Sequence, residues 1–173
     1  CFALSRSSRA SATVRAIFDS EVNFLDTSRN YGLGRSEARI GEVIAERGGI
    51  PEGFVISSKL DRDMETTKFD GARARRSLDE SLKTLNVSKI QLLHVHDPEY
   101  ASSLSDVTGP KGALAELFRM KEEGLADAVG LAAGRVDDDE IALLGQTPEA
   151  FLEMARFLGF GGVEVASLAG VDA

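Results

Sequence analysis

The chain has 173 residues, 43% of them hydrophobic and 28% charged, and a formal net charge of −8, which predicts one globular domain over residues 1–173. The acidic balance argues against nucleic acid as a partner, because nucleic-acid-binding domains usually carry a basic surface, and no apolar run approaches the roughly 18 residues of a membrane-spanning helix. Cys1 is the only cysteine, so the sequence offers no internal disulfide and suits a reducing, cytoplasmic environment.

The first predicted element is a helix near the N-terminus, where Val14, Ile17 and Phe18 form an apolar stripe at helical spacing. The preceding residues are rich in serine and arginine and contain no acid, which is also typical of a mitochondrial presequence. The apolar periodicity favours the helix.

Four short β-prone runs follow at regular intervals, with helical patterns between them. The runs are VNFLD at 22–26, FVISSK at 54–59, IQLLHVH at 90–96 and AVGLAA at 128–133. Strands and helices that alternate at this spacing indicate parallel βαβ units within one α/β layer system.

The helical patterns carry recognisable end signals. Ser36 is expected to cap the first helix, Asp70 the second, and Pro110 to open the third. Gly48 and Gly124 lie just past the expected ends of the first and third helices, where glycine commonly terminates a helix.

Beyond residue 133 the pattern is weaker. Residues 147–159 predict a further helix, with Pro148 in its first turn, and residues 161–169 can form a fifth strand. We therefore expect four to five strands in the whole chain.

Polar side chains stand at the carboxyl ends of three consecutive strands. Asp26, Lys59 and His96 occupy these ends, and Tyr31 lies in the loop after the first strand. Each has a structural explanation when taken alone: a turn cap, a solvated strand end, a core histidine or a loop aromatic. Carboxyl ends of parallel strands share one face, however, and α/β enzymes place their chemistry there.

The combination predicts a proton-transfer site for a carbonyl or an alcohol. A lysine in the mouth of a parallel sheet is costly to desolvate unless a carboxylate accompanies it, and Asp26 on the neighbouring strand is available to Lys59. An ammonium beside a phenol stabilises the phenolate, so the Tyr31 side chain can exchange a proton near neutral pH. His96 is then available to hydrogen-bond and orient a substrate oxygen.

These segments resemble the aldo-keto reductase superfamily, and in particular its bacterial aldose and fucose dehydrogenase-like members. The resemblance covers residues 12–135. It is carried by FLDTSRNYGLGRSEARIGEVI, which contains Asp26 and Tyr31, by FVISSK, which ends in Lys59, and by LLHVHDPE, which contains His96.

The resemblance implies a (β/α)8 TIM-barrel fold, of which this chain would hold four to five of the eight strands. It also implies an oxidoreductase with a nicotinamide cofactor, NADP or NAD, and a small-molecule carbonyl or sugar substrate. Tyr31 would be the catalytic acid/base, Lys59 its tuning residue, Asp26 the partner of Lys59 and a cofactor-binding residue, and His96 the substrate-orienting group. Hydride transfer itself would belong to the cofactor.

The chain also departs from the family. A complete barrel typically needs about 250 residues, and by comparison with the family the first strand and the C-terminal, phosphate-binding portion are missing. Only Arg135 and Arg156 are basic beyond residue 133, and Ala132 and Ala133 stand where many relatives place an asparagine that holds the nicotinamide carboxamide. We therefore expect an incomplete copy of a longer enzyme.

Two other functions fit parts of the sequence. His94 and His96 are two residues apart in a strand, so both side chains point to one face, as in some metal-dependent hydrolases. The sequence contains no further histidine, so carboxylates would have to complete a metal site. Alternatively, the scaffold can persist as a non-catalytic, partner-binding module, because a fold does not fix a function.

Overall fold

The computed structural model describes residues 6–133. Except for Ala133, these residues belong to a compact unit that ends at Ala132. The helix expected at 147–159 and the strand expected at 161–169 lie outside the described residues. The expectation of a single domain over residues 1–173 therefore stays a prediction.

Helices and strands alternate along the described residues. The helices are α1 (Arg6–Phe18), α2 (Arg35–Arg47), α3 (Gly71–Leu85), α4 (Leu104–Thr108) and α5 (Ala113–Glu122). The strands are β1 (Phe24–Asp26), β2 (Val55–Leu60), β3 (Ile90–His96) and β4 (Ala126–Ala132), and a 3-10 turn at Pro98–Tyr100 follows β3. All four predicted strands are confirmed, although β1 is shorter and β4 begins earlier than their apolar runs suggested. Within this part of the chain, no helix combines the length and apolarity needed to cross a bilayer.

The strands form one parallel sheet in the order β1-β2-β3-β4. Asp26 of β1 pairs with Ser57 of β2, and Lys59 of β2 pairs with His94 of β3. This register brings the carboxyl ends of the first three strands to one edge of the sheet, as the sequence predicts.

The two faces of the sheet differ in polarity because successive side chains of a strand point to opposite sides. Helix α3 packs on β2, and α5 packs on β3 and β4. The helix-facing side of β2 and β3 carries apolar residues that are at most 1% exposed: Ile56, Leu60, Leu93 and Val95. The opposite side of the same strands carries the polar residues Ser57, Lys59, His94 and His96.

One predicted helix cap is confirmed and another is wrong. The Asp70 carboxylate caps α3 by accepting a hydrogen bond of 2.8 Å from the backbone N–H of Arg73. The cap predicted at Ser36 is wrong, because the residue that precedes α2 is Gly34, two positions earlier, with a φ of 83°. The Ser36 hydroxyl is instead hydrogen-bonded to the Thr27 hydroxyl at 2.8 Å, which ties α2 to the end of β1.

The prediction that Pro110 opens the third helix is also wrong. The chain after β3 first forms the 3-10 turn and the short helix α4, which the sequence analysis did not predict, and α5 begins only after Gly112. A Cβ at Gly112 would lie 2.5 Å from the Val107 carbonyl oxygen, so this tight turn leaves no room for a side chain. Gly124 follows the end of α5 with a φ of 76°, as expected.

Helices α2 and α3 approach each other closely at Gly41. A Cβ at this position would lie 2.0 Å from the Thr84 carbonyl oxygen of α3. The Asn86 side chain donates a hydrogen bond of 3.2 Å to the Gly41 carbonyl. The contact therefore depends on the absence of a side chain at Gly41.

We expect Gly41→Ala to lower the free energy of unfolding by about 1–3 kcal/mol, because the added methyl group forces the helices apart. This loss should outweigh the higher helix propensity of alanine, which is worth ~1 kcal/mol. Chemical denaturation of the full-length protein measures the change. The reverse substitution at exposed Ala45 of the same helix, Ala45→Gly, tests propensity alone and should cost ~1 kcal/mol. A Gly41→Ala variant as stable as the wild type would contradict the close approach.

Glu37 is a carboxyl group buried between α2 and the sheet, with 0% exposure. Its Oε1 accepts a hydrogen bond of 2.7 Å from the Ser58 hydroxyl, whereas its Oε2 has no hydrogen-bond partner among residues 6–133. Burial raises the pKa of Glu37 above its ordinary value of 4.5, and the Ser58 and Ser81 hydroxyls and the Arg29 charge offset part of this effect. The fold therefore holds this group more readily as a neutral acid.

The raised pKa makes stability depend on pH. The folded state binds the Glu37 proton more tightly than the unfolded state, and this difference adds to the free energy of unfolding. The added stability is complete below pH 4.5 and is lost as the pH rises through the pKa of Glu37 in the folded state. Glu37→Gln is neutral and of similar shape, so we expect the variant to be more stable than the wild type at neutral pH. Its unfolding free energy should also fall less steeply above pH 4.5 in a denaturation series. If the unfolding free energy of the two proteins changed equally with pH, the raised pKa of Glu37 would be contradicted.

Candidate active site

The ends of β1 and β2 are joined by an ion pair between Asp26 and Lys59. The Lys59 Nζ donates to Asp26 Oδ1 at 2.8 Å and to Oδ2 at 2.6 Å. Its third hydrogen bond, also 2.8 Å, goes to the Thr27 carbonyl. The ammonium thus has an acceptor for each of its three N–H groups.

The two partners of this ion pair differ in exposure. The Lys59 side chain is 7% exposed and that of Asp26 is 43% exposed. A buried ammonium needs a compensating anion, and Asp26 provides one while its carboxylate stays open to solvent on the other side. The Ser57 hydroxyl donates a further hydrogen bond of 2.8 Å to Asp26 Oδ1, which fixes the carboxylate.

Tyr31 lies over this ion pair. Its ring centroid is 4.8 Å from the Lys59 Nζ, and the residue is 41% exposed. The Lys59 N–H groups are all used by Asp26 and Thr27, so the ammonium acts on the tyrosine through its charge at the ring rather than through a direct hydrogen bond.

The loop that carries Tyr31 folds tightly into the start of α2. Three successive residues have left-handed backbone, with φ values of 60° at Gly32, 58° at Leu33 and 83° at Gly34. The Tyr31 carbonyl accepts a hydrogen bond of 3.2 Å from the Ser36 N–H. Glycine tolerates this conformation without strain, which explains the two glycines that follow Tyr31.

His96 closes the group from the end of β3. Its ring lies 5.8 Å from the Tyr31 ring in an edge-on orientation. The structure thus brings together all four predicted site residues, which are Asp26, Tyr31, Lys59 and His96.

The sequence analysis missed two buried residues that contact His96. The Asp61 carboxylate lies 2.6 Å from His96 Nδ1, and the Ser28 hydroxyl lies 3.3 Å from the same nitrogen. A signal for Asp61 was present, because it follows Lys59 by two positions and so can share its side of the chain. No comparable signal pointed to Ser28, whose position depends on the loop.

His94 lies below the site on the same side of β3. Burial, followed by the nearby Lys59 charge, lowers the pKa of His94 below its ordinary value of 6.5. Its ring packs against β4, where a Cβ at Gly130 would lie 3.0 Å from the ring. The small residue at Gly130 therefore makes room for a neutral imidazole.

The metal-site alternative for His94 and His96 finds no support in the geometry. Among the residues that the structure describes, no three histidine, cysteine, aspartate or glutamate side chains are grouped so that they could hold a metal ion. His96 Nδ1 is instead engaged by Asp61.

A cavity of about 330 Å³ adjoins the site on its helix side. It is lined by residues of α1, α2 and β1, and it reaches Asp26 and Tyr31. Lys59 and His96 do not line it, so the cavity lies beside the polar cluster rather than within it.

Comparison with known proteins places these observations in a family. The sequence profile of the Aldo/keto reductase family matches residues 4–154. The L-galactose dehydrogenase of Arabidopsis thaliana is 34% identical over 128 residues, which cover 74% of this chain and 39% of the relative. The D-threo-aldose 1-dehydrogenase of a Pseudomonas species is 28% identical over 172 residues, covering 86% of this chain and 50% of the relative.

Solved structures show the same fold. A Pseudomonas aeruginosa structure assigned to the aldo-keto reductases is 32% identical with a TM-score of 0.59, covering 75% of this chain and 49% of the other. An aldo-keto reductase of Klebsiella pneumoniae, solved in complex with NADPH, is 20% identical with a TM-score of 0.62, covering 82% of this chain and 44% of the other. The expected partial (β/α)8 barrel is therefore confirmed: the four parallel strands and their helices correspond to part of such a barrel.

The chain spans half or less of the length of the curated relatives compared above. Within that span, the family profile, the sequence relatives and the solved structures agree with one another and with the parallel sheet. The chain therefore belongs to the aldo/keto reductase family.

Proposed function

We propose that the protein is an oxidoreductase that transfers hydride between a nicotinamide cofactor, NADP or NAD, and the carbonyl or alcohol group of a sugar or small aldehyde. The observation that carries the proposal is the distance of 4.8 Å between the Lys59 Nζ and the Tyr31 ring. Among relatives, the names L-galactose dehydrogenase and D-threo-aldose 1-dehydrogenase support a sugar substrate.

In this proposal Tyr31 is the general acid or base. The residue is 41% exposed, so we place its hydroxyl within reach of a substrate oxygen. In reduction, Tyr31 Oη gives its proton to the carbonyl oxygen, and in oxidation it takes the proton from the alcohol. The nearby Lys59 charge stabilises the phenolate that is left after reduction.

Asp26 keeps the ammonium of Lys59 in place. Its two oxygens, with the Thr27 carbonyl, take all three N–H groups, so the cation cannot turn away from the ring. His96, whose ring is 5.8 Å from that of Tyr31, binds the substrate oxygen or a neighbouring hydroxyl and so fixes its orientation.

The described residues fit the reacting end of a nicotinamide cofactor. When bound, that cofactor supplies or accepts the hydride at the substrate carbon. The Asp26 side chain is 43% exposed although it holds Lys59, so its oxygens can also accept a hydrogen bond from a ribose hydroxyl. The Ala132 carbonyl already accepts a 2.7 Å hydrogen bond from the Asp97 N–H, and its side chain offers no donor or acceptor. The carboxamide would therefore be held by other groups.

We expect Tyr31→Phe to lower turnover in the full-length protein by at least about 100-fold, because removal of the hydroxyl removes the proton donor while the ring remains over Lys59. The measurement is NAD(P)H absorbance with L-galactose as the alcohol and glyceraldehyde as the carbonyl compound. Circular dichroism should show an unchanged fold.

Tyr100→Phe is the matched control. Tyr100 is the only other tyrosine, and its ring packs under the Arg62 guanidinium at 5.2 Å, a contact that does not need the hydroxyl. The control should keep full turnover. Undiminished turnover in Tyr31→Phe would contradict the proposal. Stoichiometric zinc in the purified protein would then favour the metal-dependent hydrolase, with His94 and His96 as ligands.

A further inference from the structure

A buried carboxylate lies directly behind His96, outside the four residues of the candidate active site. Asp61 follows the last residue of β2 and is 1% exposed. Its Oδ1 lies 2.6 Å from His96 Nδ1. The other ring nitrogen, Nε2, has Asp97 Oδ2 at 3.7 Å, which is beyond hydrogen-bond distance. Among the described residues, one nitrogen of this imidazole is thus engaged and the other is available to a ligand.

The Asp61 carboxylate is held in a fixed orientation. Its Oδ2 accepts hydrogen bonds from the Ser28 hydroxyl at 2.8 Å and the Asn30 N–H at 3.0 Å. Its backbone N–H donates to the Ser77 hydroxyl at 2.9 Å, and the Arg73 Nε donates to its carbonyl at 3.0 Å. The group is therefore anchored on both sides and cannot turn away from the histidine.

This arrangement decides which ring nitrogen carries the proton. A carboxylate only accepts hydrogen bonds, so a lone pair on His96 Nδ1 at 2.6 Å from Asp61 would be repelled. The Ser28 hydroxyl, 3.3 Å from Nδ1, donates its proton to Asp61 and has none to give to the ring. A neutral His96 therefore carries its proton on Nδ1 and presents a lone pair at Nε2.

We propose that Asp61 is a positioning residue that fixes the Nδ1–H form of His96, so that Nε2 accepts a hydrogen bond from a hydroxyl group of the substrate. The inference rests on the proposed function and deepens it. The reacting hydroxyl gives its proton to Tyr31, but a neighbouring sugar hydroxyl can donate to Nε2, whereas a carbonyl oxygen cannot. At His96 the site is thus built to bind a neighbouring hydroxyl group rather than the carbonyl oxygen.

The first test is the ¹⁵N NMR spectrum of the full-length wild-type protein, recorded at a pH where the histidines are neutral. The ¹⁵N shifts of a neutral imidazole report which nitrogen carries the proton. The sequence contains two histidines, and a His94→Gln spectrum assigns the His96 signals. We expect the proton on His96 Nδ1. A proton on Nε2 would overturn the proposal, and this test needs no variant of Asp61.

Asp61→Asn should reverse the proton's position. The backbone N–H of Asn30 cannot rotate and needs an acceptor, so the amide oxygen of the variant should face it. The amide NH₂ group then faces His96 Nδ1 and donates to it, which moves the ring proton to Nε2. The same change at the neighbouring carboxylate, Asp97→Asn, should leave the proton on Nδ1, because Asp97 does not contact that nitrogen.

The kinetic consequence is a split between the two substrates. In Asp61→Asn, Nε2 becomes a donor, so the KM for L-galactose should rise about tenfold through the lost hydrogen bond. The KM for propanal, a carbonyl compound with no hydroxyl group, should not rise. If Asp61 had a purely structural role, Asp61→Asn would raise the KM of both substrates alike and would leave the proton on Nδ1. That result would overturn the proposal.

The two proposals fail in different ways. Absence of any NAD(P)-dependent turnover in the wild type would refute the proposed function, whereas the position of the His96 proton can still be read. A proton on Nδ1 that moves on Asp61→Asn supports the positioning role of Asp61 in either case.

Discussion

The site depends on the placement of one buried cation. The Lys59 ammonium leaves water almost completely, and it is stable there because Asp26 and the Thr27 carbonyl accept all of its hydrogen bonds. The same contacts join the end of β2 to the end of β1 and to the first residue of the following loop. Because β1 has only three residues, this polar junction contributes a large share of what fixes its carboxyl end. A single ion pair thus fixes the end of the strand and places a positive charge beside the Tyr31 ring.

The backbone that follows β1 keeps Tyr31 and the start of α2 close to this cation. The run of left-handed residues from Gly32 to Gly34 turns the chain directly from the Tyr31 loop into α2. The Ser36 hydroxyl then bonds to Thr27, next to the carbonyl that receives Lys59. Strand end, loop and helix start are therefore coupled through a few short contacts, which fix the backbone on either side of Tyr31.

Three carboxyl groups near the sheet occupy different environments and so have different properties. Asp26 is partly exposed and paired with a cation. Asp61 is buried, but each of its oxygens has a hydrogen-bond partner. Glu37 is equally buried, one of its oxygens has no hydrogen-bond partner among residues 6–133, and burial raises its pKa. Glu37 favours its neutral form because burial disfavours the charged carboxylate more than its hydrogen bonds favour it.

The sequence by itself determined the alternation of strands and helices, the three polar residues at the strand ends and the tyrosine in the first loop, because apolar periodicity and residue type are local properties. It also determined the cap at Asp70, which needs only three residues of chain. Only the tertiary structure decided that α2 begins after Gly34 rather than at Ser36, since the Thr27 hydroxyl that engages Ser36 comes from the preceding strand end. The same holds for the contact of Asp61 with His96, two residues that are 35 positions apart in the chain. Such contacts depend on the register of the sheet and on the path of the loops, and no local pattern encodes either one.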